Sequence, residues 1–435
     1  MNNARRNFIK KSTALAAATG LSAAFPNLYS IAAGHAQQKI RIGAIGINGM
    51  GWADLNAILK HPDVVCTALC DVDKNVLDKR TKELADRGIK TKGYNNYRDL
   101  LASKDVDAVV IGTPDHWHCL QMIEACQAGK DVYVEKPLGN SITECKAMVA
   151  AAKKYDRVVQ VGQWQRSQQH FKDAMAFVHS GKLGKIRLVK AWAYQGWMKS
   201  IPIKPDAPVP AGVDYDLWLG PAKKRPFNPN RFHFEFRWFW DYAGGLMTDW
   251  GVHMLDYALI GMKATTPKSI MAAGGKFAYP EDAAETPDTL TTVFEFDDFN
   301  IQWEHANGID GGPYGRNHGV AFIGNKGTLV VNRDGWEVIP EGDRMEAVPL
   351  QKKVDNGLDL HAVNFIEAVK SRDKASLNTP IEAGAHIAIF SQMGNIAYRT
   401  GKKIYWDEEK GSFNDTDADK LITASYNNGY TIPQV

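Results

Sequence analysis

Cysteine is scarce in this chain and unevenly placed. Five residues in 435 (Cys66, Cys70, Cys119, Cys126 and Cys145) all fall in the first third. An odd number, with none in the longer remainder, makes a poor disulfide framework, so the thiols are expected to be buried and free. Beyond the amino terminus no apolar run is long enough to span a bilayer, so no membrane anchor is expected. There is no internal repeat. No large charge excess is present either: the formal charge of +3 falls to −1 once residues 1–38, which hold Arg5, Arg6, Lys10, Lys11 and no acid, are set aside. Without a basic stripe interleaved with aromatics, nucleic acid is not an expected partner. His116 and His118 have no cysteine or carboxylate partner at ligand spacing, so no metal is expected. With 44% hydrophobic and 23% charged residues, what remains is ordinary globular protein, long enough for two cores.

What is present begins with an address. Ala4-Arg5-Arg6-Asn7-Phe8-Ile9-Lys10-Lys11 precedes a mild apolar run from Ser12 to Ala24 and resembles a twin-arginine export signal, with a small-residue cleavage site near Gly34-His35-Ala36. Residues 1–38 are therefore read as a signal peptide and the twin-arginine translocase as a transient partner. The product is expected to be periplasmic or otherwise exported.

Lys39 to Gly46 reads as a strand entering a small-residue turn, Ile47-Asn48-Gly49-Met50-Gly51, and then a helix. Small residues let a backbone approach a pyrophosphate, and a helix amino terminus offers free N–H groups. The second glycine of the usual spacing is replaced by Asn48, which tolerates positive φ better than other side chains. A second strand, Val64 to Cys70, ends in Asp71, whose carboxylate suits ribose hydroxyls and repels a 2′-phosphate, favouring NAD over NADP. Further strands end in Thr113-Pro114-Asp115-His116-Trp117-His118, in Glu135-Lys136-Pro137 and in Val161-Gly162-Gln163. This alternation of strands and helices predicts a doubly wound parallel sheet over residues 39–162.

In that order these motifs resemble the glucose–fructose oxidoreductase / inositol dehydrogenase (Gfo/Idh/MocA) family, over residues 39 to about 405. The resemblance implies an α/β fold: an N-terminal Rossmann domain (39–162), then an α+β domain with a large, mostly antiparallel open sheet (163–405), and here a C-terminal tail (406–435). It implies NAD contacts from Gly46, Asn48, Gly49, Met50, Gly51, Asp71, Thr113, Pro114, His116, His118, Glu135, Lys136 and Gln163. It also implies catalysis by Lys136 with an Asp-x-x-x-His pair, Asp249 and His253, on a sugar or polyol carbon. The residues agree with this. Removing hydride from a secondary alcohol needs a base, for which His253 is suited, and a cation near the developing alkoxide, for which Lys136 is suited. On a helix Asp249 and His253 share one face, and either Asp249 or Asp256 can orient the imidazole.

Substrate contacts are expected from Arg166, Arg237, Trp240 and Tyr242, within an irregular Pro-, Gly- and Trp-rich stretch and its neighbours. An exported NAD enzyme has no soluble pool to draw on. The reading is therefore an oxidoreductase on a sugar or glycoside hydroxyl with captive, recycled NAD. The alternative is an NAD-dependent glycoside hydrolase working by transient oxidation. The resemblance implies that in such hydrolases the position of Asp249 tends not to be aspartate. An open sheet in the second domain also suggests a homo-oligomer.

Overall fold

Short runs of valine, isoleucine and alanine with no polar alternation suit strands covered on both faces. In the computed structural model, which describes residues 39–435, five such runs and one short exposed edge strand, Lys92–Tyr94, form a parallel sheet. They are β1 (Ile40–Ile45), β2 (Val64–Cys70), β3 (Lys92–Tyr94), β4 (Ala108–Ile111), β5 (Asp131–Val134) and β6 (Val159–Val161), in the order β3-β2-β1-β4-β5-β6. The signal peptide read from residues 1–38 lies outside the described residues. Between them run helices α1 (Gly49–Ile58), α2 (Lys74–Asp86), α3 (Tyr97–Leu101), α4 (Asp115–Gln127) and α5 (Ile142–Lys154). The strand order reverses between β1 and β4, so the turns leaving them part at the carboxyl edge and open a crevice.

After helix α6 (Gln169–His179) comes an eight-stranded sheet ordered β14-β13-β12-β11-β7-β10-β9-β8. Its members are β7 (Ile186–Gln195), β8 (Ser269–Gly275), β9 (Thr289–Glu295), β10 (Asn300–Asn307), β11 (His318–Gly324), β12 (Gly327–Asn332), β13 (Gly335–Pro340) and β14 (Val348–Lys352). All pairs are antiparallel except β7 with β10. The architecture is thus a Rossmann-type parallel sheet followed by a mostly antiparallel one, as expected. Strands β13 and β14 were not anticipated, because β14 is almost wholly exposed and shows no apolar face.

Between β7 and β8 lie α7 (Tyr215–Leu219), α8 (Gly245–Asp249) and α9 (Gly251–Met262); α10 (Gly357–Ser371) and α11 (Ile381–Thr400) follow β14. Helices α6, α9 and α11 cover one face of the large sheet, where Phe171, Phe322, Phe294 and Phe390 are fully or nearly fully buried and the last two stack at 3.9 Å. Helix α10 returns to the first sheet, Phe365 and Ile366 packing in one cluster with Ile42, Leu55 and Tyr133. Residues 406–435, expected as a tail, dock on the first sheet's helices: Tyr426 donates to Glu144 at 2.7 Å, and Tyr430 meets Trp117 edge-on. All five cysteines are buried free thiols.

Candidate active site

The turn after β1 is built by glycine at two left-handed positions, Gly46 (φ 75°) and Gly49 (φ 28°). Asn48 between them is extended (φ −80°, ψ −177°), so its tolerance of positive φ is not used, because Gly49 takes that place. Close approach fixes the rest: a Cβ on Gly51 would lie 2.1 Å from the Gly46 carbonyl oxygen. Helix α1 begins here with no side-chain cap and no acid in its first turn, leaving its first N–H groups free. That is a fit for a dinucleotide pyrophosphate.

A cavity of about 790 Å³ opens from this turn and runs to the second lobe. At the turn's side, Asp71 accepts the N–H groups of Ile47 and Asp73, both at 3.0 Å, and burial pushes its pKa up to about 6. The irregular stretch before α8 crosses over this acid loop. Lys74 N–H donates to Gly212 O (2.8 Å), Asp214 N–H to Val72 O (2.9 Å) and Asn75 Nδ2 to Ala211 O (3.0 Å). His233, itself left-handed (φ 50°), accepts from Asn48 Nδ2 (3.3 Å) and donates through Nε2 to Asp73 (3.1 Å).

The other end holds the charged groups. Lys136, at the end of β5, reaches Asp249 on α8 with Nζ 2.5 Å from Oδ1 and 3.1 Å from the backbone oxygen. Arg237 lies 3.6 Å from the same carboxylate. Burial alone would raise the pKa of Asp249, but Lys136 and Arg237 overcome it and hold the acid at about 2. His253, one turn along in α9, lines the same cavity, between the indoles of Trp164 and Trp250. Burial, then Lys136, Arg333 and His318, drive its pKa well below 6.5, so the ring is neutral at pH 7. Its Nδ1 is buried with no partner, and Nε2 makes no hydrogen bond among the described residues. Neither acid orients it: Asp249 is taken by Lys136, and Asp256 by Arg166 in a bidentate pair at 2.5 and 2.7 Å.

The structure brings Gly46, Asn48, Gly49, Met50, Asp71, Thr113, Pro114, Glu135, Lys136, Arg237, Asp249 and His253 to this one cavity. It sets others behind the wall. Arg166 serves as the counter-ion of buried Asp256. Trp240 turns to Glu285 and lies under the Arg399 guanidinium at 4.9 Å, while Tyr242 is fully buried against His116 and Trp218. His116 Nε2 donates to Trp218 O at 3.1 Å, and His118 bridges Thr113 O and Pro137 O, bracing the two loops that meet at the site. Gln163 is buried with its amide unpaired. Glu135 is wedged against Gly162, whose Cβ, if added, would fall 2.1 Å from the carboxylate.

Asp73, Asp115, Trp164, His233, Phe234 and Arg333 also line the cavity. Sequence reasoning passed over them. The Pro-, Gly- and Trp-rich loop was a signal for His233 and Phe234, but nothing marked Arg333, at the tip of the β12–β13 hairpin, as more than a turn residue.

Residues 40–163 match an oxidoreductase family with an NAD-binding Rossmann fold, and residues 190–432 match the C-terminal alpha/beta domain of the same oxidoreductase family. The chain is 26% identical over 297 residues to an uncharacterized oxidoreductase of Bacillus subtilis, YrbE, covering 68% of this chain and 74% of that protein. It is 30% identical over 165 residues to a glycosyl hydrolase family 109 protein of Saccharopolyspora erythraea, a match to 37% of this chain and about a third (36%) of that relative's length. The fold is similar to an aldose-aldose oxidoreductase from Caulobacter crescentus, with TM-score 0.63, 19% identity, and coverage of 84% of this chain and 99% of that one. Taken with the glycine turn and the crevice at the strand-order reversal, these matches show that the chain belongs to the Gfo/Idh/MocA family of NAD-dependent oxidoreductases.

Proposed function

We propose that the protein oxidises a secondary hydroxyl of a sugar or glycoside, with NAD held tightly and its hydride returned within the catalytic cycle. The observation that carries this reading is the convergence of Lys136, Asp249 and His253 on the cavity that begins at the glycine turn. NAD bound at that turn, with Asp71 at its ribose, would supply the hydride acceptor. Neutral His253 is placed to take the hydroxyl proton through Nε2. The Lys136 ammonium, fixed by Asp249, would donate to the same oxygen as negative charge grows on it. The residues clasping Val72–Asn75 support a cofactor that does not exchange freely, and the aldose-aldose oxidoreductase fold neighbour is consistent with hydride passing between two sugars.

Export rests on Arg5-Arg6 and the apolar run behind them. Changing both arginines to lysine should leave the protein inside the cell, as fractionation would show. Among the described residues no helix is long and apolar enough to cross a membrane. A homo-oligomer is proposed through the outer face of the large sheet, where Met271 on β8 and Ile339 on β13 stand exposed on either side of a small buried group of Trp192, Ala321 and Val330 on the strands between.

The deciding experiment incubates purified protein, with no added nucleotide, with a panel of glycosides and an aldose acceptor. A keto-glycoside accompanied by a reduced acceptor supports the proposal. A protein that releases no nucleotide on denaturation, and turns over only with millimolar NAD, overturns the captive cofactor. The hydrolase relative gives a second reading, in which the same base and cation act on a carbon acidified by transient oxidation. Release of nitrophenol from nitrophenyl glycosides without net NADH would establish it.

A further inference from the structure

Arg333 is the first residue of a two-residue turn between β12 and β13, where Asn332 pairs with Gly335. Its guanidinium lies 4.5 Å from the ring centre of Trp250 and 4.9 Å from that of Trp164, the two indoles that also flank His253. Nε donates to Gln165 Oε1 at 3.0 Å. Both Nη nitrogens are without a partner, and no carboxylate lies within 4.0 Å, among the described residues.

This sets Arg333 apart from the other cations here. Lys136 has Asp249, Arg237 shares it, and Arg166 has Asp256. Asp115 and Glu135, the other acids of this end, act on Lys136 and Arg237. Burial lowers the pKa of Arg333 only to about 10, so it is charged at neutral pH. Asp249 and Asp334 act on it only from beyond contact distance; a largely desolvated guanidinium with no acid in contact is costly, and stacking on indoles offsets only part of that cost. Its two open Nη groups form a planar fork that matches a carboxylate.

We infer that the substrate is an acidic sugar, a uronic acid or uronoside, whose carboxylate is held by Arg333 while a neighbouring hydroxyl faces His253. The inference deepens the sugar-oxidising reading and rests on it for the choice of ligand.

The test measures binding, without turnover, to the nucleotide-loaded protein by isothermal titration calorimetry. Probes are the methyl uronosides of glucose, galactose and mannose, each beside its neutral methyl glycoside and 6-phosphate. At least one uronoside should bind about ten- to a hundredfold more tightly than its neutral partner. Arg333→Met should abolish that preference while leaving neutral glycoside binding within about twofold, and Arg333→Lys should keep part of it. The inference is overturned if no uronoside outbinds its neutral partner, if the 6-phosphates bind best, or if Arg333→Met weakens both classes alike. Because the readout is binding, a preserved preference without keto-sugar formation would sink the proposed reaction and leave the acidic-sugar site standing.

Discussion

At one end of the cavity, Lys136, Asp249 and His253 stand on a strand end and two helices from different lobes, and charge is met by charge within 2.5 Å. At the other end, Asp71 and Asp73 belong to a turn clasped by an irregular segment through backbone amides, the Asn75 side chain and a single imidazole. The first arrangement is over-determined: moving one group strands another in a desolvated place. The second is a row of modest hydrogen bonds near the surface, the kind that local opening breaks at small cost. Under the proposed function the rigid end would carry the chemistry and the fastened one would retain the cofactor, and substitutions should separate the two.

The largest effect is expected at the rigid end. His253→Gln should lose about 10²- to 10⁴-fold in turnover while the purified protein keeps its nucleotide. Lys136→Met should lose activity comparably and also destabilise the fold, though by less than the about 3–5 kcal/mol of a wholly unpaired buried charge, because Asp249 keeps Arg237 at 3.6 Å. Since His253 is held neutral, its own ring should not take up a proton as pH falls through 6.5; an imidazole NMR titration showing His253 protonated at or above 6.5 would contradict the burial of that ring.

At the fastened end, His233→Ala should speed nucleotide release about tenfold, the worth of one hydrogen bond of about 1.4 kcal/mol, with turnover at saturating NAD little changed. Unchanged release would mean that the clasp does not govern exchange. Asp71→Ser should weaken NAD binding and improve NADP, narrowing the ratio of their affinities by about tenfold in a direct titration.

The smallest effect is thermal. Burial raises Asp115 to about 7, above its unfolded value, so its contribution to stability is full in acid and lost as pH rises through 7. Asp115→Asn should therefore gain more melting temperature over wild type at pH 8 than at pH 5.

Five strands of the first sheet were legible because they are largely apolar runs with turns punctuated by glycine and proline; β3, short and mostly exposed, was not. Lys136 and His253 were legible because strand ends and helix spacing are local properties. Their convergence is not local: it follows from how α8 and α9 seat against the first lobe. For the same reason Arg166, Trp240 and Tyr242 looked like ligand contacts. An arginine and two aromatics beside a catalytic helix read alike whether they face a cavity or a buried partner such as Asp256 or His116. Arg333 escaped notice because a hairpin tip acquires meaning only once the order of eight strands decides where it ends.

Gly162 does not itself line the cavity, yet it leaves room for Glu135 and hence for the backbone that carries Lys136. A single methyl group added there would push on the carboxylate and, through the adjoining peptide, on the ammonium beyond it. The alignment of the reacting end is thus held partly by empty space one strand away, in a residue whose only contribution is the side chain it does not have.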